Sequence, residues 1–183
     1  MFIETETTPN PATLKFLPGR AVMAGGTANF IDADAATRSP LAQRLFELGV
    51  VSGVFFGADF VTVTKAEEAS WPQLKPLILG AIMEHFTSGR PLLLNGDAPV
   101  PEAAAEEDDE VVSQIKELLE TRVRPAVAQD GGDIIFEAYA YGVVYLQMHG
   151  SCSGCPSSTA TLKAGIENML RHYIPEVVEV RAV

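Results

Sequence analysis

The chain has 183 residues, and 47% of them are hydrophobic, which is enough apolar material for buried cores and excludes global disorder. Its 24 acidic and 13 basic side chains give a formal net charge of −11, and it has no basic stripe, so we do not expect nucleic acid as its main ligand. No apolar run approaches the roughly 18 residues that cross a bilayer, so we expect no membrane partner.

The first ninety residues have the pattern of a small α+β domain without a catalytic motif. Two helices are predicted, with Ser39 and Ser70 as their N-caps and Gly89 as the stop of the second. Pro76 lies inside the second helix and predicts a kink or a late start. Apolar and β-branched runs predict strands over residues 2–7, 13–17, 50–56 and 60–64, the last two forming a hairpin.

An acidic segment that is poor in large apolar side chains separates this part from the rest of the chain. Residues 98–110 contain six acidic and no basic side chains, together with Pro and Ala. Such a segment cannot bury enough apolar surface to offset the entropy cost of ordering, and its charges repel one another. We therefore predict an N-terminal domain over residues 1–96, a linker over 97–109 and a C-terminal domain over 110–183.

The sequence pattern of residues 110–183 predicts helices and strands in the order α-β-β-α-β. Two short strands should form a hairpin at Tyr141-Gly142, a third strand should close the chain, and Pro125 should kink the first helix. The predicted fold class is α+β, with two small α+β domains, the C-terminal one having a three-stranded sheet covered by helices. Apolar residues at helical spacing are Val112, Ile115, Leu119, Val123 and Val127 in the first helix, and Leu162, Ile166, Met169, Leu170 and Tyr173 in the second.

The two cysteines of the chain, Cys152 and Cys155, lie between the second strand and the second helix of this domain. They are too few and too close for a secreted disulfide framework, so they indicate metal, cluster or redox chemistry. A helix N-terminus lowers the pKa of a nearby thiol, so we expect thiolates here. Gly154 lets both sulfurs face the same way, and small neighbours such as Ser151 should leave room for a bulky group.

A Cys-x-x-Cys pair occurs in cluster binding, zinc binding and disulfide redox, and the pair alone leaves all three open. A thioredoxin-like redox site would need a longer βαβ opening and an aromatic residue where Ser151 lies. A cluster or a tetrahedral metal takes four ligands, so two chains would share it, or small thiols or another protein would complete the set. Metal ligation or acid–base chemistry is the alternative role for Asp130 and Asp133, and tuning of a cluster is the alternative role for His149. We interpret Asp130 and Asp133 as turn and capping residues and His149 as a strand-end residue.

Several short motifs carry a family resemblance. They are Arg124-Pro125, Asp130-Gly-Gly-Asp133, Gly150-Ser-Cys-Ser-Gly-Cys-Pro-Ser-Ser158 and Pro175-Glu-Val177 in the C-terminal part, and Thr7-Thr-Pro-Asn-Pro11 and Leu14-Lys-Phe-Leu-Pro18 in the N-terminal part. Residues 111–183 resemble the Nfu domain, the C-terminal part of NifU-type iron–sulfur scaffolds. Residues 1 to about 90 resemble the N-terminal domain of mitochondrial and some bacterial Nfu proteins, so the resemblance covers nearly the whole chain.

The resemblance implies a carrier and not an enzyme. A [4Fe–4S] cluster would bind between two subunits through Cys152 and Cys155, and the partners would be a second copy of the chain, upstream iron–sulfur assembly proteins and apo iron–sulfur client enzymes. The first six residues have neither the basic region of a signal peptide nor the Arg-rich pattern of a transit peptide. We therefore expect a bacterial cytoplasmic protein, or a mitochondrial matrix protein if the chain is a processed eukaryotic form.

Overall fold

The computed structural model describes residues 1–94, 110–152 and 156–183, without the side chains of residues 156–158. The chain divides into two compact units, Met1–Pro101 and Glu102–Val183. Each unit combines helices with a sheet of its own, which confirms the α+β fold class. The segment predicted as a linker, residues 97–109, lies wholly outside the described residues, so the domain bounds stay a prediction.

The N-terminal unit is built on a five-stranded antiparallel sheet with the order β1-β2-β5-β4-β3. The hairpin predicted from two consecutive apolar runs is present as its fourth and fifth strands. In chain order the elements are β1 (Glu4–Thr7), β2 (Thr13–Leu17), β3 (Ala28–Phe30), a 3₁₀ turn (Ala35–Arg38), α1 (Pro40–Phe46), β4 (Val51–Phe56), β5 (Val61–Lys65) and α2 (Trp71–Ser88).

The sequence pattern did not predict β3. This strand has three residues, too few for an alternation of polar and apolar positions to be visible, and its pairing with β4 supplies its hydrogen bonds. Its Phe30 is fully buried and lies edge-on to Phe56, with ring centroids 5.1 Å apart. Tertiary packing of Phe30 therefore stabilises β3, which the local sequence pattern does not predict.

The two helices of this unit begin differently. Ser39 is buried, and its hydroxyl accepts a hydrogen bond of 3.2 Å from the backbone N–H of Ala42, as expected of an N-cap. Ser70 occupies the same position before α2, but its side chain makes no capping hydrogen bond. α2 runs unbroken through Pro76 to Gly89, whose φ of 68° ends it as predicted, so a late start at Pro76 is wrong.

The C-terminal unit has the predicted α-β-β-α-β order. Its three-stranded sheet has the order β6-β7-β8, with β6 and β7 antiparallel and β7 and β8 parallel. Tyr141 and Gly142 connect β6 to β7 with φ values of 52° and 79°, the two positive values of a type I′ hairpin turn. The elements are α3 (Glu110–Leu118), a π turn (Leu119–Val123), α4 (Arg124–Gln129), β6 (Gly132–Ala140), β7 (Val143–Gly150), α5 (Pro156–Tyr173) and β8 (Glu179–Ala182).

The disturbance predicted at Pro125 takes the form of a π turn. The backbone N–H of Arg124 donates to the carbonyl of Leu119, five residues back, in place of the usual four. Pro125 has no N–H, and in a regular helix its ring would clash with the carbonyl four residues earlier. The wider winding before Pro125 relieves that clash and lets the helix continue as α4.

The core of the C-terminal unit lies between its helices and one face of the sheet. Four of the five apolar residues expected on the first helix are fully or almost fully buried, and Ile166 and Leu170 of α5 face them across the core. Tyr173 is the exception on α5, because 48% of it is exposed. None of the helices in the described part of the chain is long and apolar enough to cross a bilayer.

The different caps of α1 and α2 generate a test of stability. Ser39→Ala should lower the free energy of unfolding of the N-terminal unit by about 1 kcal/mol, because Ala cannot accept the Ala42 N–H. Ser70→Ala is the matched control and should change it much less. Urea unfolding followed by the fluorescence of Trp71, the single tryptophan, reports on this unit. Equal losses from both substitutions would contradict the assignment of the caps.

Candidate functional site

Cys152 follows β7 and lies against the core, not on the surface. Only 6% of the residue is exposed, and its side chain belongs to the same buried cluster as Ile134, Met148 and Ile166. Cys155, the second predicted ligand, lies outside the described residues. The geometry of the candidate site is therefore the geometry around Cys152.

Gly132, the first residue of β6, provides the surface on which the Cys152 sulfur rests. A Cβ atom built on Gly132 would lie 2.5 Å from that sulfur, 2.8 Å from the carbonyl oxygen of His149 and 3.2 Å from the backbone nitrogen of Cys152. Gly131 has a φ of 80°, whereas Gly132 is not in the left-handed region. Gly131 is thus needed for the turn, and Gly132 is needed because two other groups approach it closely.

Hydrogen bonds hold the backbone on both sides of Cys152. The hydroxyl of Ser151 donates to the carbonyl of Asp130, and the backbone N–H of Ser151 donates to the carbonyl of Gly131 over 3.2 Å. On the other side, the hydroxyl of Thr159 in α5 donates to the carbonyl of Cys152 over 2.9 Å. Ser151 is only 2% exposed, and its side chain closes the turn. Its neighbours Ser153, Ser157 and Ser158 have side chains outside the described part of the structure, so the expected room for a bulky group stays a prediction.

The surroundings of the thiol favour its protonated form. Burial raises the pKa of Cys152 to about 11, while the hydrogen bond with Ser151 works against this rise and the charges of Asp130 and Asp133 add to it. The expectation of a thiol whose pKa is lowered by a helix N-terminus is therefore wrong for Cys152 in this state. The physical reason is position, because α5 begins four residues later, at Pro156, and Cys152 is packed in the core.

Asp133 forms a buried ion pair with Arg124. Both of its carboxylate oxygens accept from Arg124, at 2.9 Å from Nε and 2.9 Å from Nη2, and the backbone N–H of Ile134 donates to Oδ1. The third guanidinium nitrogen, Nη1 of Arg124, donates to Oε2 of Glu120 over 2.6 Å. These hydrogen bonds, that with Asp133 first, raise the pKa of Arg124. Asp130 follows α4 and accepts from Ser151 through its carbonyl, which fits its interpretation as a turn residue.

His149 pairs with Asp133 across β6 and β7, one position before the end of β7. Burial lowers the pKa of His149, and the charge of Asp133 opposes that effect. Its position agrees with the interpretation as a strand-end residue. Within the ranges 1–94, 110–152 and 156–183, no group of three or more His, Cys, Asp or Glu side chains could hold a metal ion.

Comparisons with known proteins decide the family. The model of the N-terminal domain of the scaffold protein Nfu/NifU matches residues 3–89, and the model of the NifU-like domain matches residues 115–181. The human mitochondrial NFU1 iron-sulfur cluster scaffold homolog is 54% identical over the whole of this chain and over 72% of its own length. The chain belongs to the Nfu family of iron–sulfur cluster scaffold proteins.

Further relatives extend this picture. The mitochondrial NifU-like protein 4 of Arabidopsis thaliana is 52% identical, over 97% of this chain and 64% of its own length, so the chain spans somewhat less than two thirds of that relative. A solution NMR structure of a NifU-like protein from Saccharomyces cerevisiae is 25% identical and covers 52% of this chain and 86% of its own. The TM-score between the two structures is 0.47.

The sequence singled out Cys152 as a candidate ligand but did not indicate the residues that hold it in place. Gly132 was noted only as part of the Asp130-Gly-Gly-Asp133 motif, Ser151 only as a small neighbour of the cysteine, and Thr159 was not singled out. One signal was available for Gly132: a single left-handed residue is enough for the turn, so a second consecutive glycine indicates a close approach of another group. Nothing in the local sequence indicates the contact of Thr159 with a carbonyl seven residues earlier.

The raised pKa of Cys152 predicts a loss of stability at high pH. The unfolded chain releases the thiol proton near its ordinary pKa of 9.0, whereas the folded chain holds it until about pH 11. The stabilisation from this group is therefore complete below pH 9 and is lost as the pH rises to 11, by at most about 3 kcal/mol. Urea unfolding of wild type and Cys152→Ser, followed by circular dichroism between pH 8 and 11, measures it. A stability difference that does not change with pH would contradict the assignment.

The ion pair of Asp133 predicts a second, separate effect. Asp133→Asn should lower the stability of the C-terminal unit by about 2–3 kcal/mol, because Arg124, whose side chain is 24% exposed, keeps its charge and loses its buried partner. Glu120→Gln removes the exposed partner of the same guanidinium and should cost less than about 1 kcal/mol. Trp71 lies in the N-terminal unit, so its fluorescence does not report on the C-terminal unit. The stabilities of the two variants are therefore compared from the urea transition that circular dichroism detects and Trp71 fluorescence does not. Similar losses would mean that burial does not distinguish the two carboxylates.

Proposed function

We propose that two copies of this chain bind one [4Fe–4S] cluster between them, through Cys152 and Cys155 of each copy, and transfer it to apo iron–sulfur proteins. The observation that carries the proposal is the position of the cysteine pair. It lies inside the region that matches the NifU-like domain, between the end of β7 and α5, in a family whose members are named as iron–sulfur cluster scaffolds.

The number of cysteines supports sharing between chains. Clusters of the two-iron and four-iron types take four cysteine ligands, and this chain has two. A twofold axis that places the same loop twice around one cluster is the simplest way to complete the set. Each chain then contributes two thiolates, and neither chain holds the cluster alone.

Transfer of the cluster to another protein follows from the same count of cysteine ligands. A cluster between two chains lies near the protein surface, where an acceptor that offers four thiolates on one chain can replace the ligands one at a time. The exchange is ligand substitution, so it needs no change in the oxidation state of iron. The cluster is thus cargo, and the chain acts as a carrier and not as an enzyme.

The free edge of β8 offers little support for a dimer that forms without a cluster. The backbone N–H of Val180 would be available to another strand, but it donates to Glu167 Oε2 in α5 over 3.1 Å. We therefore propose that the apo-protein is largely monomeric at micromolar concentration and that cluster binding drives association by mass action.

We further propose that cluster binding belongs to residues 110–183, with residues 1–96 as a separate domain and 97–109 as the linker. The partners are the upstream assembly proteins that supply the cluster and the client enzymes that receive it. The mitochondrial names of the human and Arabidopsis relatives favour a mitochondrial location, and they give no support to the expectation of a bacterial cytoplasmic protein.

Anaerobic reconstitution with iron and sulfide tests the proposal. Wild type should bind about four irons and four sulfides per two chains, with a shift from monomer to dimer in sizing. Cys152→Ser and Cys155→Ser should each lose the cluster absorption and the dimer, since two sulfurs per dimer remain. Ser113→Ala, at an exposed position of α3, is the control and should behave as wild type. Iron retained by either cysteine variant, or zinc recovered in place of iron, would contradict the proposal.

A further inference from the structure

The Cys152 sulfur does not lie at the surface of the chain. It lies in the core beside Gly132, and 6% of the residue is exposed. A cluster bound between two chains lies outside each of them, and its iron and sulfide atoms need open space around every ligand sulfur. The inward position and the position of a bridging ligand are therefore different.

We propose that Gly132, Ser151 and Thr159 are positioning residues that hold the apo Cys152 sulfur inward, and that the sulfur leaves this position before it binds a cluster. The second half of this inference rests on the proposed function. The first half concerns the apo-protein alone.

Each of the three residues restrains a different part of Cys152. Gly132 lets the sulfur lie directly on the backbone of β6, where any Cβ would overlap it. Ser151 ties the residue before the cysteine to the Asp130 carbonyl, and Thr159 ties the carbonyl of the cysteine itself to the first turns of α5. Release of Cys152 from this position must break the two hydrogen bonds, whereas the β6–β7 ladder, which ends at Gly132 and Gly150, can stay intact.

Held inward, the thiol is shielded while no cluster is bound. An exposed thiol next to a second one is open to oxidants and to adventitious metals, whereas a thiol in a packed core is not. The restraints are also weak enough to release, because each hydrogen bond contributes only modestly to the closed state. Loading is thus coupled to a local opening, and the three residues set how often that opening occurs.

The rate at which a maleimide labels Cys152 measures the opening. The experiment uses the full chain in a Cys155→Ser background at fixed pH, with the labelled mass followed over time. Ser151→Ala and Thr159→Val should each increase the labelling rate about fivefold, the effect of one hydrogen bond on the opening equilibrium. Gly132→Ala should increase it by about tenfold or more, because the added methyl group overlaps the sulfur.

Conservative and matched variants separate positioning from general destabilisation. Thr159→Ser keeps the hydroxyl and should restore the parent rate. Thr121→Val removes a hydroxyl that donates to the Glu117 carbonyl in the same unit, and Gly165→Ala adds a methyl group that meets nothing within 4 Å. Both should label at the parent rate. If Gly132→Ala does not fold, the Ser151 and Thr159 variants still decide the question.

The denaturant dependence of labelling identifies a local opening. A local opening exposes little surface, so its rate should stay flat at low urea concentrations, whereas labelling through global unfolding rises steeply. The inference is overturned if the parent labels as fast as the urea-unfolded chain, if the Ser151 and Thr159 variants label at the parent rate, or if the two controls accelerate labelling as much.

The readout does not depend on iron. If the Ser151 and Thr159 variants label faster but wild type forms no cluster, the inward position of the sulfur is supported and the proposed function is refuted. If wild type forms a cluster but the variants label at the parent rate, the proposed function is supported and the role of these three residues is refuted.

Discussion

The register between β6 and β7 determines where the Cys152 sulfur lies. Gly132 pairs with Gly150, so the residues that follow β7 fold back over the residues that precede β6. This places Ser151 within hydrogen-bonding reach of Asp130, 21 positions earlier, and sets the cysteine on Gly132. A shift of one residue would turn every side chain of β7 to the other face and remove the cysteine from this contact.

The same register connects the site to the first helices of the unit. Asp133 follows Gly132 in β6, and its ion pair with Arg124 fixes the start of the strand to the end of the π turn. The hydrogen bond from Arg124 to Leu119 that defines the π turn places the guanidinium group between Asp133 and Glu120. An irregular helix, a buried ion pair and a glycine contact thus form one continuous support beneath Cys152.

The fold was more predictable from sequence than the site. The apolar periodicity around Ile115 and Ile166, and the Tyr141-Gly142 turn, are local signals, and each gave the right element. β3 was missed because its evidence is the packing of Phe30 on Phe56, which is not local. The pKa of Cys152 was expected in the wrong direction, because sequence places the residue near a helix start but cannot tell how deeply it is buried.

Native mass spectrometry under anaerobic conditions shows whether one cluster joins two chains. The reconstituted full chain should appear as a species with the mass of two chains plus four irons and four sulfides, and removal of the cluster by a chelator should return it to single chains. A single chain that carries a complete cluster without added thiol, or an apo-dimer whose assembly state does not change on reconstitution, would contradict the account.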